Sequence, residues 1–387
     1  MPDNKFTYVS YTEPDVRTTI EGLIEANQSW EPLKARIIPE FDYPGFIERY
    51  GFKGALLEPG TGSDDAARTV AERVLAVLND ESHRRGPESH THAEGSEIPR
   101  LVEEAVGRRS PVRIVIPSFP GRPHNPWSHR RVRPDLSEAY ALLRLKNVSD
   151  HVRTVYPPGV EFIILLDGRA YSPFYGSSPE ADEPYVEELR TLVGKLDAEE
   201  SIGLLDLQDL VDERAAEFEE VKRLVAPEVE AEWNKPDYEF RDQLIAAMRL
   251  GTDTTALNAA AIQLVKHETD TGIDTNTLIK RMREGVDERG RRTAFDYMVF
   301  LVTIKRMELI KTRLPDAIRG TVHPKPGQYS PYLTDPETAI APWHGVPIVF
   351  GDGRIRTVYE SYVYQNHSAF RAVYEKGDYE PFYYEEA

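Results

Sequence analysis

Two short apolar runs, Val112–Ile116 (VRIVI) and Phe162–Leu166 (FIILL), constrain this chain more than any other feature. Each has the length of a strand and is apolar almost throughout, so each predicts a strand buried on both faces. Prolines bound the first run and Asp167-Gly168-Arg169 closes the second. Helical periodicity surrounds them. Asp64–Leu78 (DDAARTVAERVLAVL) repeats apolar residues at helical spacing behind an acidic start that suits a helix N-terminus. Asp135 predicts the N-cap of a helix from Leu136 to about Leu145, with Glu138 three residues on as in a capping box. Ile318–Val322 predicts a strand that delivers His323, and Val346–Phe350 with Ile355–Val358 flank GDGR as a hairpin.

Strands alternating with helices predict an α/β fold, Rossmann-like, with a mostly parallel sheet, helices on both faces and an added helical section. At 387 residues the chain exceeds the size at which single cores usually stop growing. Three divisions follow: an N-terminal helical extension and polar loop over 1–105, an α/β catalytic core over 106–358 with a helical insertion at about 184–313, and a tyrosine-rich acidic tail over 359–387. The polar run ESHRRGPESHTHAEGSE, residues 81–97, reads as an exposed or disordered loop.

Charge and composition narrow the function. There are 65 acidic against 47 basic residues, a net charge of −18, which repels phosphate polyanions and predicts no nucleic-acid partner. The chain has no cysteine, which excludes disulfides, thiolate catalysis and iron–sulfur clusters. No apolar run reaches the length of a membrane span and the N-terminus lacks the features of a signal peptide, so a cytoplasmic protein without membrane attachment is expected. The sequence contains no phosphate-binding-loop, dinucleotide, nucleophile-elbow or zinc-protease motif. His83, His90 and His92 in the polar run do not make a full ligand set, and neither a metal nor another cofactor is expected.

Polar residues just after strands carry weight in an open α/β sheet, because ligands bind outside the carboxyl ends of the strands. The first run leads to Arg122, His124 and Asn125, the second to Asp167 and Arg169, and the third to His323. Between Arg108 and Arg153 stand ten Lys or Arg (Arg108, Arg109, Arg113, Arg122, Arg130, Arg131, Arg133, Arg144, Lys146, Arg153) against Asp135, Glu138 and Asp150. Such an island suits a small anion such as a phosphate ester, since arginine grips phosphate and carboxylate bidentately. A solvated basic face, or arginines paired with the acidic section from Pro184 to Glu232, would give the same pattern. The residues alone predict an α/β enzyme for a small anion, with acid/base groups drawn from His, Asp and Glu.

A set of phrases in one order resembles the pyoverdine/dityrosine biosynthesis family, which includes the isonitrile (isocyanide) synthases. They are Phe119-Pro120-Gly121-Arg122-Pro123-His124-Asn125, Pro134-Asp135-Leu136-Ser137-Glu138, Tyr156-Pro157-Pro158-Gly159 with Asp167-Gly168-Arg169, Ile318-Arg319-Gly320-Thr321-Val322-His323-Pro324, and Pro342-Trp343-His344. Arg122 stands where the family carries lysine, and the insert WSHRRVR is longer and more basic than usual.

The resemblance implies condensation of the amine of tyrosine or tryptophan with the C2 ketone of ribulose 5-phosphate, then lyase-type fragmentation that leaves one sugar carbon on nitrogen as the isonitrile. It implies no metal or redox cofactor, and a pathway partner of the iron/2-oxoglutarate oxygenase type. On that reading Arg122, His124, Arg130, Arg131 and Arg133 hold the phosphate, with Asn125 and Asp135 in the same binding segment. Arg319 or Arg169 holds the amino acid carboxylate. His323 and His344 move protons, Asp167 or Glu138 assists them, and Trp343 forms a pocket wall. Asp135 and Glu138 also fit a helix cap alone. An N-formyl product is the alternative outcome, and a non-catalytic binder of a small anionic metabolite is the alternative class.

Overall fold

The computed structural model describes residues 33–55, 64–122, 131–175, 182–236, 238, 240–242, 244–245, 275–337 and 340–387. In chain order the elements are β1 (Lys34–Ile38), α1 (Tyr43–Tyr50), α2 (Asp64–Leu78), α3 (Ile98–Arg108), β2 (Val112–Ser118), α4 (Leu136–Arg153), β3 (Val160–Leu166), α5 (Gly168–Tyr175), α6 (Glu183–Lys195) and β4 (Ile202–Asp206). They continue with α7 (Leu207–Asp212), α8 (Ala215–Trp233), α9 (Thr275–Arg306), α10 (Leu309–Arg313), β5 (Ile318–Arg319), β6 (Val346–Val349), β7 (Ile355–Val358), α11 (Glu360–Gln365), β8 (Phe370–Glu375) and β9 (Tyr383–Glu386).

The two apolar runs are the centre of a four-stranded sheet in the order β4-β3-β2-β5, with every neighbouring pair parallel. Its two faces bury alternate residues. Ile114, Ile116, Phe162 and Ile164 join one core cluster with Leu101, Leu142 and Leu189 from α3, α4 and α6. Val115, Ile163 and Leu165 join another with Tyr171, Leu210, Phe218 and Phe300 from α5, α7, α8 and α9. Helices therefore cover both faces, which is why these strands read as continuous apolar runs. A second, mixed sheet has the order β1-β8-β9-β6-β7 and closes over Ile348, Phe370, Ala372 and Tyr384. Its β6 and β7 pair antiparallel around GDGR as the hairpin signal predicts.

Strand order decides where a ligand can enter. The chain steps from β2 to β3 to β4 in one direction and then returns to the far side of β2 as β5. The crevice between β2 and β5 is the topological switch point, where open α/β sheets bind ligands.

Several elements differ from the sequence-based expectation. The strand at 318 ends after two residues, because Arg319 O accepts from Tyr329 N and Thr321 N donates to Tyr329 O, which turns the chain out of the sheet. A Cβ on Gly320 would lie 2.6 Å from Ile116, so the glycine lets this short strand close on β2. The section expected as a helical insertion contributes β4 to the central sheet. The tail contributes β8 and β9, the first paired in parallel with β1 from the N-terminal division. The polar run over 81–97 is tied down: Arg85 N donates to Ser330 O, and Arg84 and Thr91 are buried. His83 there faces His151 of α4 at 2.7 Å while His92 faces Asn79, so the three loop histidines do not converge.

Candidate functional site

Arg122 enters the protein on the turn that follows β2. Gly121 in that turn has φ +81°, a conformation glycine adopts freely. The guanidinium is completely buried between two carboxylates, with Nε and Nη2 on Glu138 at 2.7 and 2.5 Å and Nη1 on Asp135 at 2.7 Å. Nη2 also reaches Pro342 O at 3.3 Å. Both acids cap α4 as the capping box predicts: Asp135 accepts from Ser137 N, and Glu138 accepts from Asp135 N. Tyr185 OH donates to Glu138 at 3.2 Å. Burial pushes the Asp135 carboxyl up, the guanidinium pulls it back, and the Glu138 carboxylate adds to the rise. Arg122 is thus matched inside the protein, and its role is to pin the β2 turn to α4 and to the Pro342–His344 segment.

Most of the basic island is engaged in the same way. Arg131 is buried, donates to Pro134 O and Glu380 O, and reaches Asp378 at 3.1 Å; Arg133 meets Asp378 at 2.6 Å, and both approach Glu188. Arg113 pairs with Glu161, and Lys146 and Arg153 pair with Asp150. Arg169 bridges Asp206 and Asp209, each at 3.0 Å. His124, Asn125 and Arg130 lie outside the described residues.

Two groups of polar side chains remain at the carboxyl ends of the strands. On the α5/α9 side, Asp167 ends β3 with its carboxylate buried and Oδ1 without a hydrogen-bond partner among the described residues. Burial raises its carboxyl to about 7, the nearby Asp206 and Asp182 adding to the rise and Arg319 opposing it. Arg319 pairs in register with Val115, which directs it to this same face. Its charge interacts with Asp167 and Tyr171, yet no ion pair closes between it and Asp167. Tyr297 of α9 leans on Tyr171 edge to ring, 4.9 Å between centroids, and hydrogen-bonds with it. Asp182 also lies here, raised to about 7 by burial and by Asp206. Its Oδ1 is 2.5 Å from where a Cβ on Gly121 would sit.

On the α4 side stand His323 and His344. Burial lowers both, His344 to about 4, with His323 and Arg122 as the next causes for His344. His323 is also depressed by Arg85 and Lys325. By surface area Arg319, His323 and His344 all reach solvent, while burial shifts the pKa of each. Both hold where a side chain is surrounded by protein on most sides and still touches solvent at one edge. Trp343 is buried beside Phe119, ring centroids 5.1 Å apart.

The fold therefore brings together Asp167 with Arg319, and His323 with His344, the short segment Gly320–Val322 joining Arg319 to His323. It holds Glu138, Asp135 and Arg122 as a buried charge cluster beneath them and engages Arg131, Arg133 and Arg169 with acids. Sequence reasoning misses Tyr171, Tyr297, Asp182, Arg85 and Lys325. Tyr171 carries a signal, standing four residues after Asp167 on a helix face; the others arrive from distant segments and carry none.

A parallel sheet with helices on both faces and polar residues beyond its strand ends defines the open α/β class, in which ligands bind outside the carboxyl ends of the strands. The family is settled by comparison: a model described as pyoverdine/dityrosine biosynthesis protein matches residues 102–370, and the chain belongs to that family. Isocyanide synthase xanB of Aspergillus fumigatus is 26% identical over 301 residues, covering 75% of this chain and 38% of that protein. L-tryptophan isonitrile synthase AmbI2 of Fischerella ambigua is 25% identical over 32% of this chain and 36% of that protein. L-tyrosine isonitrile synthase of Xenorhabdus nematophila is 27% identical, with 32% and 38% covered. The chain thus spans less than half the length of these relatives. The crystal structure of PvcA from Pseudomonas aeruginosa superposes with a TM-score of 0.62 at 18% identity, covering 82% of this chain and 100% of that one, and shares its fold.

Proposed function

We propose that this protein is an isonitrile synthase that joins the amine of an aromatic amino acid to the C2 ketone of ribulose 5-phosphate and fragments the adduct. The observation that carries the reading is the Asp167–Arg319 pair: a buried carboxylate with one oxygen unpartnered among the described residues, near an accessible guanidinium that does not close on it. An α-amino acid is a zwitterion and fits between two such groups, its carboxylate on Arg319 and its ammonium on Asp167. The relatives named for tryptophan and tyrosine substrates support the amino acid class.

The chemistry follows from the charge states. The incoming ammonium has no lone pair and must lose a proton before it can attack a ketone. A carboxyl held near 7 by burial is poised to take that proton near neutrality. The amine then adds to the carbonyl carbon; the alkoxide takes up one proton as the nitrogen gives one up, the carbinolamine hydroxyl takes a second proton and leaves as water, and the iminium returns a proton to give the imine. His323 and His344, kept neutral by burial, each offer one lone pair and one N–H for the proton transfers of dehydration and of carbon–carbon cleavage. Arg85 and Lys325, close enough to depress His323, add positive charge that suits the phosphate end of the sugar.

The test is direct. Purified protein incubated with tyrosine or tryptophan and ribulose 5-phosphate is expected to release phosphate and form the isonitrile, read by mass spectrometry. Failure to consume any amino acid together with this sugar phosphate would overturn the proposal. An N-formyl product in place of the isonitrile would keep the condensation and revise the fragmentation.

A further inference from the structure

Away from the crevice, a cavity of about 150 Å³ opens between the loop after α2 and the middle of α4, lined by Ser82, His83, Arg144, Asn147, Val148 and Tyr332. In apolar-walled cavities that volume holds a benzene-sized guest. Here the walls are polar. Arg144 is held rigidly: Nε donates to Tyr332 O at 3.1 Å, Nη2 donates to Ser82 O at 2.9 Å, and the guanidinium lies over the rings of Tyr140 and Tyr332, 5.8 Å from each centroid. Every one of these partners is neutral, and no carboxylate lies within ion-pair distance of Arg144 among the described residues. A partly buried guanidinium without a counter-charge has lost hydration and gained no ion pair, which favours an anion beside it.

The other walls suit the same guest. His83 Nε2 and His151 Nδ1 share one hydrogen bond at 2.7 Å, and Phe52 stacks on His151; burial lowers His83 to about 4, so it lines the cavity as a neutral polar group. The Asn147 amide donates to Tyr50 O and accepts from Phe52 N, which fixes its plane with one N–H in hand. The carboxylate nearest the imidazoles, Asp80, is bound by the N–H and hydroxyl of Ser82.

We propose that this cavity is a second ligand site, taking a small oxyanion of phosphate type on Arg144, Asn147 and His83. It lies about two turns of α4 below Glu138, so it is distinct from the crevice at the strand ends, and it does not rest on the function proposed above. Tyr332 also lines a smaller cleft with Arg85, Val322 and Pro342. An anion here would therefore sit one side chain away from the wall of the His323–His344 group.

The experiment uses the full chain and inorganic phosphate, with binding read by calorimetry and the imidazole resonances of His83 and His151 followed by NMR. Saturable binding that moves those resonances is expected, weakened at least about tenfold in Arg144→Gln and less in Arg144→Lys, which keeps the charge but not the fork. Arg319→Gln and Lys325→Gln, which alter the strand-end crevice, are expected to leave the His83 response in place. The proposal is overturned if phosphate binds with the His83 and His151 resonances unmoved, if Arg144→Gln binds as the parent does, or if no saturable binding occurs. Should Arg144→Gln not fold, the resonance shifts of the unmodified chain decide alone.

Discussion

Asp167 carries a charge that the fold makes expensive. Its carboxyl sits near 7 in the folded chain, against an ordinary value near 4 when unfolded, so it contributes stability fully at low pH and loses that contribution as pH rises through 7. Asp167→Asn removes the ionisation. The variant is expected to be more stable than the parent at pH 8, by on the order of a few kcal/mol, with the gain gone near pH 4 and turnover lost throughout; urea denaturation at both pH values checks it. In the unaltered protein kcat/KM should rise through about pH 7 as this acid ionises. Arg122 poses the opposite case. Arg122→Met leaves Asp135 and Glu138 buried without their cation, and a loss of about 3–5 kcal/mol is expected in denaturant titration. A loss under about 1 kcal/mol would show that water or another cation reaches the pair. That Arg122 pairs with two acids of the adjoining helix cap is not legible from its place in a basic run.

Elements are most legible where their causes are local. Helix α2 spans the predicted residues, and the capping box starts α4 where Asp135 and Glu138 place it. The same helix runs on to Arg153, past the expected end, because Val148 and Val152 keep its apolar face buried and Asp150 pairs with Lys146 and Arg153. Strands β4 (IGLLD), β8 (FRAVYE) and β9 (YYEE) are hidden in the sequence because glycine or charged residues break any continuous apolar run, and their pairing partners come from elsewhere in the chain. The turn after β2 offers an element-scale test. Gly121→Ala puts a Cβ at φ +81° and against Asp182 Oδ1, so a stability loss of about 1–2 kcal/mol is expected from thermal melts, together with a drop in turnover as the Asp182 carboxylate is displaced.

At the scale of the whole molecule, the C-terminal segment is a working part of the fold. Asp378 and Glu380 hold Arg131 and Arg133, Phe382 O receives Leu136 N at the start of α4, and β8 and β9 lie between β1 and β6. Removing residues 370–387 is therefore expected to abolish the cooperative unfolding transition or lower its midpoint by more than about 10 °C, on the order of a core deletion, as circular dichroism would show. Among the described residues no helix is long and apolar enough to cross a membrane. Local pattern by itself determined the class of fold and which polar residues follow the strands, because periodicity, caps and apolar runs depend on neighbours a few residues apart. Which cations stay accessible was decided only by tertiary structure. Arg131 meets its carboxylate 247 residues away and Arg169 meets its own 37 away, while Arg319 and Asp167 come face to face without closing. Coulomb energy and desolvation act through space, and only the folded chain sets those distances.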